Sequence, residues 1–189
     1  MKSAIESFFW GIIAAGAALF IELVLSLFLK LDYYGSTESA LLAVMAISAF
    51  TEETIRYIVV FKKIDLISYG RGAIFNAWIS GVGFWLVEAF LFYQKVASEN
   101  LIIDRVSLLK TGFIHILTFG IFAYRVSIRE DNRINLGALS LIILIHMAYN
   151  FSTQYENYAA TVAENAILAA LFLYNVFIFF IVNKKLAHE

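Results

Sequence analysis

Polar residues divide the chain into six long apolar runs, at approximately 4–29, 39–61, 72–94, 108–126, 136–152 and 162–183. A helix rises about 1.5 Å per residue, so about 20 apolar residues cross roughly 30 Å of hydrocarbon. The pattern predicts an all-α fold, a polytopic membrane bundle of about six transmembrane helices whose fifth member is short. The connecting stretches "LDYYGSTES", "KKIDLISYGR", "KVASENLIIDRVS", "SIREDNRIN" and "TQYENYAAT" are brief and polar. None can house a soluble domain, so residues 1–189 read as one integral membrane domain. The first run is too long for a signal peptide and is followed by "LFLKLDYY" rather than a small-residue cleavage site, which predicts a retained helix. Its "GIIAAGAA" supplies small residues for close helix packing.

Composition agrees: 61% of the 189 residues are hydrophobic and 15% charged, with no Pro and no Cys. Without cysteine there is no thiol nucleophile, thiolate metal site or disulfide framework. Net charge is −1, but the basic residues are unevenly placed. Lys2, Lys62, Lys63, Arg71, Arg125, Arg129, Arg133, Lys184 and Lys185 fall on one side of the predicted topology; Lys30, Lys95, Arg105 and Lys110 fall on the other. The excess of positive charge predicts that both termini are cytoplasmic. No basic cluster is long enough to suggest a nucleic-acid partner.

The apolar runs carry ionisable residues: Glu6, Glu22, Glu52, Glu53, Arg56, Glu88, His115, His146 and Glu164, with Asn76, Asn150 and Asn175 among them. An Asp, Lys or Arg near a helix centre costs about 2.5–3.5 kcal/mol on insertion scales, so such groups are expected to face one another or water. Glu52 and Glu53 lie four and three residues before Arg56, within reach of its guanidinium on one helical face. One arginine cannot neutralise both. If it pairs with one glutamate, the other keeps its charge beside a like charge or takes up a proton. The alternative is an ion-pair clamp between helices. Phe84 and Glu88 share a face in "GVGFWLVEAF", where Gly81 and Gly83 let a neighbouring helix approach. His146 and Asn150 share a face in "LIHMAYNF", where two donors can hold an oxyanion or simply join two helices.

Depth relates these helices. With directions alternating, Glu52, Glu53, Glu88, His115 and His146 fall within roughly a turn or two of one level. They are expected to share a cavity between the bilayer midplane and the non-cytoplasmic surface. Glu6 and Glu164 read as structural, the first snorkelling and the second opening the sixth helix, where a carboxylate meets the positive end of the dipole. Glu22 is deep and has no evident partner.

In chain order, "EETIR" at 52–56, "FWLVE" at 84–88, His115 and "HMAYN" at 146–150 resemble the motifs of the CPBP (Abi) membrane endopeptidases. That family includes the type II CAAX proteases and the PrsW proteases that cut anti-sigma factors. The likeness spans residues 52–150 and is greatest to the PrsW branch. CAAX-type members carry EExxxR and FxxxH, whereas here the basic residue comes one position earlier and Glu88 replaces the histidine. PrsW-like members have EExxK, from which Arg56 departs while keeping the charge. The resemblance implies a glutamate-dependent intramembrane endopeptidase with its catalytic core at about 39–152. Glu52 or Glu53 would activate water, Glu88 and His115 assist, and His146 and Asn150 stabilise the oxyanion. The substrate would be a membrane-anchored protein of the anti-sigma-factor kind, and the location a prokaryotic inner membrane.

Peptide hydrolysis needs a water nucleophile, a base, an acid for the leaving amine and a polarising group on the carbonyl, and residue types for all four are present. No Ser-His-Asp set or pair of intramembrane aspartates is evident. No cofactor is expected, although Glu52, Glu88, His115 and His146 are a possible zinc set, with one carboxylate left as base. Two other readings fit the same residues: a non-catalytic membrane scaffold or chaperone of the same superfamily, and a small proton-coupled transporter. Inverted repeats and broken helices, frequent in transporters, are not evident.

Overall fold

The computed structural model describes residues 2–29, 38–99, 104–129, 134–155 and 157–186. Among them every long element is a helix: α1 Lys2–Leu29, α2 Glu38–Val59, α3 Arg71–Glu99, α4 Arg105–Ser127, α5 Leu136–Ser152 and α6 Tyr158–Leu186. α2 continues through a π-helical turn, Val60–Ile64, into a last turn, Asp65–Ile67. The expected bundle of six helices is present, and its fifth member is the shortest at 17 residues. The predicted loop around Lys30, and Arg133 in the fourth loop, lie outside the described residues.

Local chemistry sets the ends. Asp104 caps α4 by accepting from the Val106 amide at 2.9 Å, and Asn135 caps α5 by accepting from the Ala138 amide at 2.9 Å. Each satisfies an amide that a helix start leaves without a carbonyl. The turn before α3 passes through Gly70 at φ +56°, and a Cβ there would meet Asn183 Oδ1 at 2.5 Å.

α3 is the axis of the bundle, with α1 along one side and α4 along the other. Two glycines explain how closely these helices approach. A Cβ at Gly83 would lie 2.2 Å from the Phe8 carbonyl oxygen of α1, and one at Gly81 would lie 2.5 Å from Ile116 Cα of α4. Ala14, Ala15 and Ala18 are buried, so the small-residue stretch of α1 is a packing face as expected. α2 and α5 pack together, and α6 lies against α4.

Four helices are long and apolar enough to cross a membrane: Lys2–Phe28, Arg71–Ser98, Arg105–Ser127 and Tyr158–Lys184. The other two predicted spans differ for physical reasons. α2 carries Glu52, Glu53 and Arg56, and α5 is short. Outward-facing side chains are largely apolar, among them Phe20, Leu27 and Phe28 on α1 and Phe172, Leu173 and Phe177 on α6. Such a surface is suited to lipid contact. One end of the bundle collects most of the cations of the described residues. There Arg129 pairs with Asp65 at 2.9 Å, Arg71 donates to the Phe179 carbonyl at 2.9 Å, and Lys63 lies 4.5 Å from the Trp10 ring near the start of α1.

Candidate active site

Four helices bring their polar residues to one place. From α2, Arg56 reaches both glutamates: Nη1 donates to Glu53 Oε1 at 2.5 Å, and Nη2 donates to Glu52 Oε2. Both carboxylates, within reach of the guanidinium by their spacing, are thus held by one fork. Spacing explains it, because residues three and four apart flank the same helical face. Arg56 is fully buried, with Cζ 4.0 Å from the centroid of the Phe84 ring on α3, so a cation–π contact backs the ion pairs.

The two glutamates then diverge. Glu53 is fully buried, and its Oε1 also accepts from His146 Nδ1 of α5 at 2.7 Å. That bond fixes the imidazole: Nδ1 carries the proton toward the carboxylate, and Nε2 is left as a lone pair or, in the imidazolium, as a second donor. Glu52 borders open space. Its Oε1 accepts from Ser48 Oγ at 2.9 Å, and the same hydroxyl lies 3.1 Å from Glu22 Oε1 on α1.

A cavity of about 260 Å³ is lined by Glu52, Trp85, Glu88, His115, His146 and Asn150, with Phe92, Leu108 and Thr111 among its other walls. The sequence-predicted set thus converges, except that Glu53 and Arg56 stand behind the wall. Glu88 Oε2 of α3 faces His115 Nε2 of α4 in direct contact. The His115 and His146 rings lie 5.5 Å apart, nearly perpendicular. Trp85 Nε1 donates to the Leu108 carbonyl at 3.0 Å, tying α3 to the first turn of α4 at the cavity rim.

Several buried polar atoms here have no hydrogen-bond partner among the described residues, including Glu53 Oε2, Arg56 Nε and His115 Nδ1. Glu52, His115 and His146 each offer one ligand atom, all within 4.8 Å of one another. Glu88, the fourth residue of the zinc set considered from sequence, turns to His115 instead. Around the cavity the arrangement offers the Glu52 carboxylate, the Glu88–His115 carboxyl–imidazole pair, the His146 imidazole and the Asn150 carboxamide. It can abstract a proton, return one and donate to a developing anion.

Glu164 has a different structural partner from the one expected, and Asn175, given no role from the sequence, joins three helices. Glu164 lies a full turn inside α6, which begins at Tyr158, and pairs with Lys110 at 2.9 Å; the dipole reading fails because the helix starts earlier than the apolar run. Asn175 accepts from Trp78 Nε1 at 2.9 Å and donates to the Leu117 and Leu171 carbonyls. Ser48 and its link to Glu22 escaped the sequence reading, although Ser48 stands four residues before Glu52, a spacing that signals contact. No family model, curated protein or solved structure matches this chain.

Proposed function

We propose that this protein is an intramembrane endopeptidase, similar to the PrsW branch of the CPBP superfamily, that hydrolyses a membrane-anchored protein with water activated by Glu52. The observation that carries this reading is the convergence of Glu52, Glu88, His115, His146 and Asn150, from four helices, on one cavity. Of the two adjacent glutamates, Glu52 is assigned as base because it borders the cavity, whereas Glu53 is enclosed. Glu53 acts through others, holding His146 in one tautomer and sharing Arg56.

In the reaction a water between Glu52 and the scissile carbonyl gives its proton to Glu52 as its oxygen bonds to the carbon. With His146 doubly protonated beside the Glu53 carboxylate, its Nε2–H and the Asn150 carboxamide donate to the oxyanion. The Glu88–His115 pair delivers a proton to the leaving amine as the C–N bond breaks. The basic end of the bundle would face the cytoplasm, and the cavity would open toward the opposite side.

The test is cleavage of single-span reporter proteins by the purified chain, with and without a chelator. Glu52→Gln is expected to lower kcat by about 10²–10⁴-fold, the contribution of a positioned base. Cleavage at the wild-type rate in that variant refutes the assignment. Loss of cleavage on chelation would replace it with metal-assisted chemistry at Glu52, His115 and His146. Silence across a broad panel would favour a scaffold.

A further inference from the structure

The contact between α1 and α2 involves a problem of proton counting. Ser48 Oγ lies 2.9 Å from Glu52 Oε1 and 3.1 Å from Glu22 Oε1, both within hydrogen-bonding reach. A serine hydroxyl has one proton and can donate to one acceptor; a second carboxyl oxygen at that distance must itself be a donor, or two sets of lone pairs face each other. A proton on one of the two glutamates gives each contact its own donor.

Their other partners decide which. Glu52 Oε2 receives Arg56 Nη2, a charge-assisted bond that favours its anion. Glu22 is half-buried, and among the described residues Ser48 is its hydrogen-bond partner. Around it stand the carboxyl groups of Glu52 and Glu88 and the guanidinium of Arg56, which is already occupied by Glu52 and Glu53. Beyond these lie His115 and His146, each already in contact with a carboxylate. A charge on Glu22 would add to an excess of carboxylates in an apolar setting, where an unpaired charge is expensive.

We propose that Glu22 is a positioning residue that holds a proton: its neutral carboxyl donates to Ser48 Oγ, and the Ser48 hydroxyl donates to Glu52 Oε1, fixing the Glu52 carboxylate at the cavity wall. The effect on cleavage rests on the reading of Glu52 as base; the proton on Glu22 does not. The chain of donors runs one way, from α1 through α2 to the cavity. It explains a deep glutamate on the first helix, outside the region of family likeness.

Two measurements on the full chain in lipid separate these parts. Infrared difference spectroscopy of wild type against Glu22→Gln is expected to show loss of a protonated-carboxyl stretch, and Ser48→Ala to shift that band as its acceptor is removed. A Glu22→Gln difference confined to the carboxylate bands overturns the proposal, as does loss of the protonated band in Glu52→Gln instead. In the cleavage assay, Glu22→Ala and Ser48→Ala are each expected to lower kcat about tenfold with KM unchanged, the loss of about one hydrogen bond. Glu22→Gln is expected to rescue the alanine defect, because its amide N–H replaces the acid proton as donor. Failure of that rescue in a folded protein contradicts a neutral donor. If no reporter is cut, the proteolytic reading fails and the infrared result still decides where the proton resides.

Discussion

The polar cluster around Asn175 and the one around Arg56 are built on opposite rules. Around Asn175 the structure closes its accounts: the carboxamide accepts from Trp78 and donates to two backbone carbonyls, joining α3, α4 and α6 with no formal charge. Around Arg56 it leaves them open. Carboxyl groups outnumber cations, a cavity adjoins the cluster, and Glu53 Oε2, Arg56 Nε and His115 Nδ1 lack hydrogen-bond partners among the described residues. A cluster that serves only stability is expected to satisfy every donor and acceptor. One that handles protons or binds a substrate needs spare capacity directed at the place where the substrate sits. The contrast is thus a criterion for function drawn from hydrogen bonding alone.

Removing the shared cation is the severest way to test it. Arg56→Met strands Glu52 and Glu53 beside each other without their guanidinium, and breaking a buried ion pair from one side costs about 3–5 kcal/mol. Unfolding in mixed micelles should register that loss. Adding Glu53→Gln to Arg56→Met should recover part of the stability by removing the stranded charge, without recovering cleavage. If Arg56→Met is as stable as wild type, the cluster is wet enough to screen its own charges, and the contrast with Asn175 loses its basis.

The second test addresses the closed cluster. Asn175→Leu leaves the Trp78 N–H and the Leu117 carbonyl without their partner, which should cost about 1–3 kcal/mol. Cleavage by the folded fraction should be unchanged. A fall in kcat at constant folding would mean that the knot transmits to the cavity, and the separation of the two clusters would be wrong.

How much of this was legible in the sequence follows from the range of the forces involved. Helices are local, so the six apolar runs located the six long helices to within a few residues; α5 coincides with its predicted run at 136–152. Spacing of three or four residues placed Glu52, Glu53 and Arg56 on one face, and a shared depth brought Glu88, His115 and His146 to the same level. What one dimension does not encode is rotation about each helix axis. That rotation enclosed Glu53 while turning Glu52 to the cavity, and it gave His146 Nδ1 to Glu53. It also brought Glu22 to Ser48 across the α1–α2 contact, a pairing 26 residues apart in sequence. Glu164 was misread for a simpler reason: Tyr158, Ala159 and Ala160 are helical, and the polar stretch before them hid the true start.

The mildest test concerns a polar pair that lies between the two extremes. Lys110 and Glu164 join α4 to α6 at 2.9 Å, with side chains 21% and 11% exposed. Lys110 is next to Thr111, which lines the cavity, so the pair stands near the open cluster while resembling the closed one in having met its charge. The partial exposure of Lys110 should limit what the pair contributes. Lys110→Met is therefore expected to lower stability by about 1 kcal/mol or less, and the difference from wild type should shrink as salt is raised. Cleavage should follow the folded fraction. A salt-independent loss several times larger would place the pair in a dry environment, and the boundary between the open and closed clusters would then have to be drawn on the cavity side of Lys110.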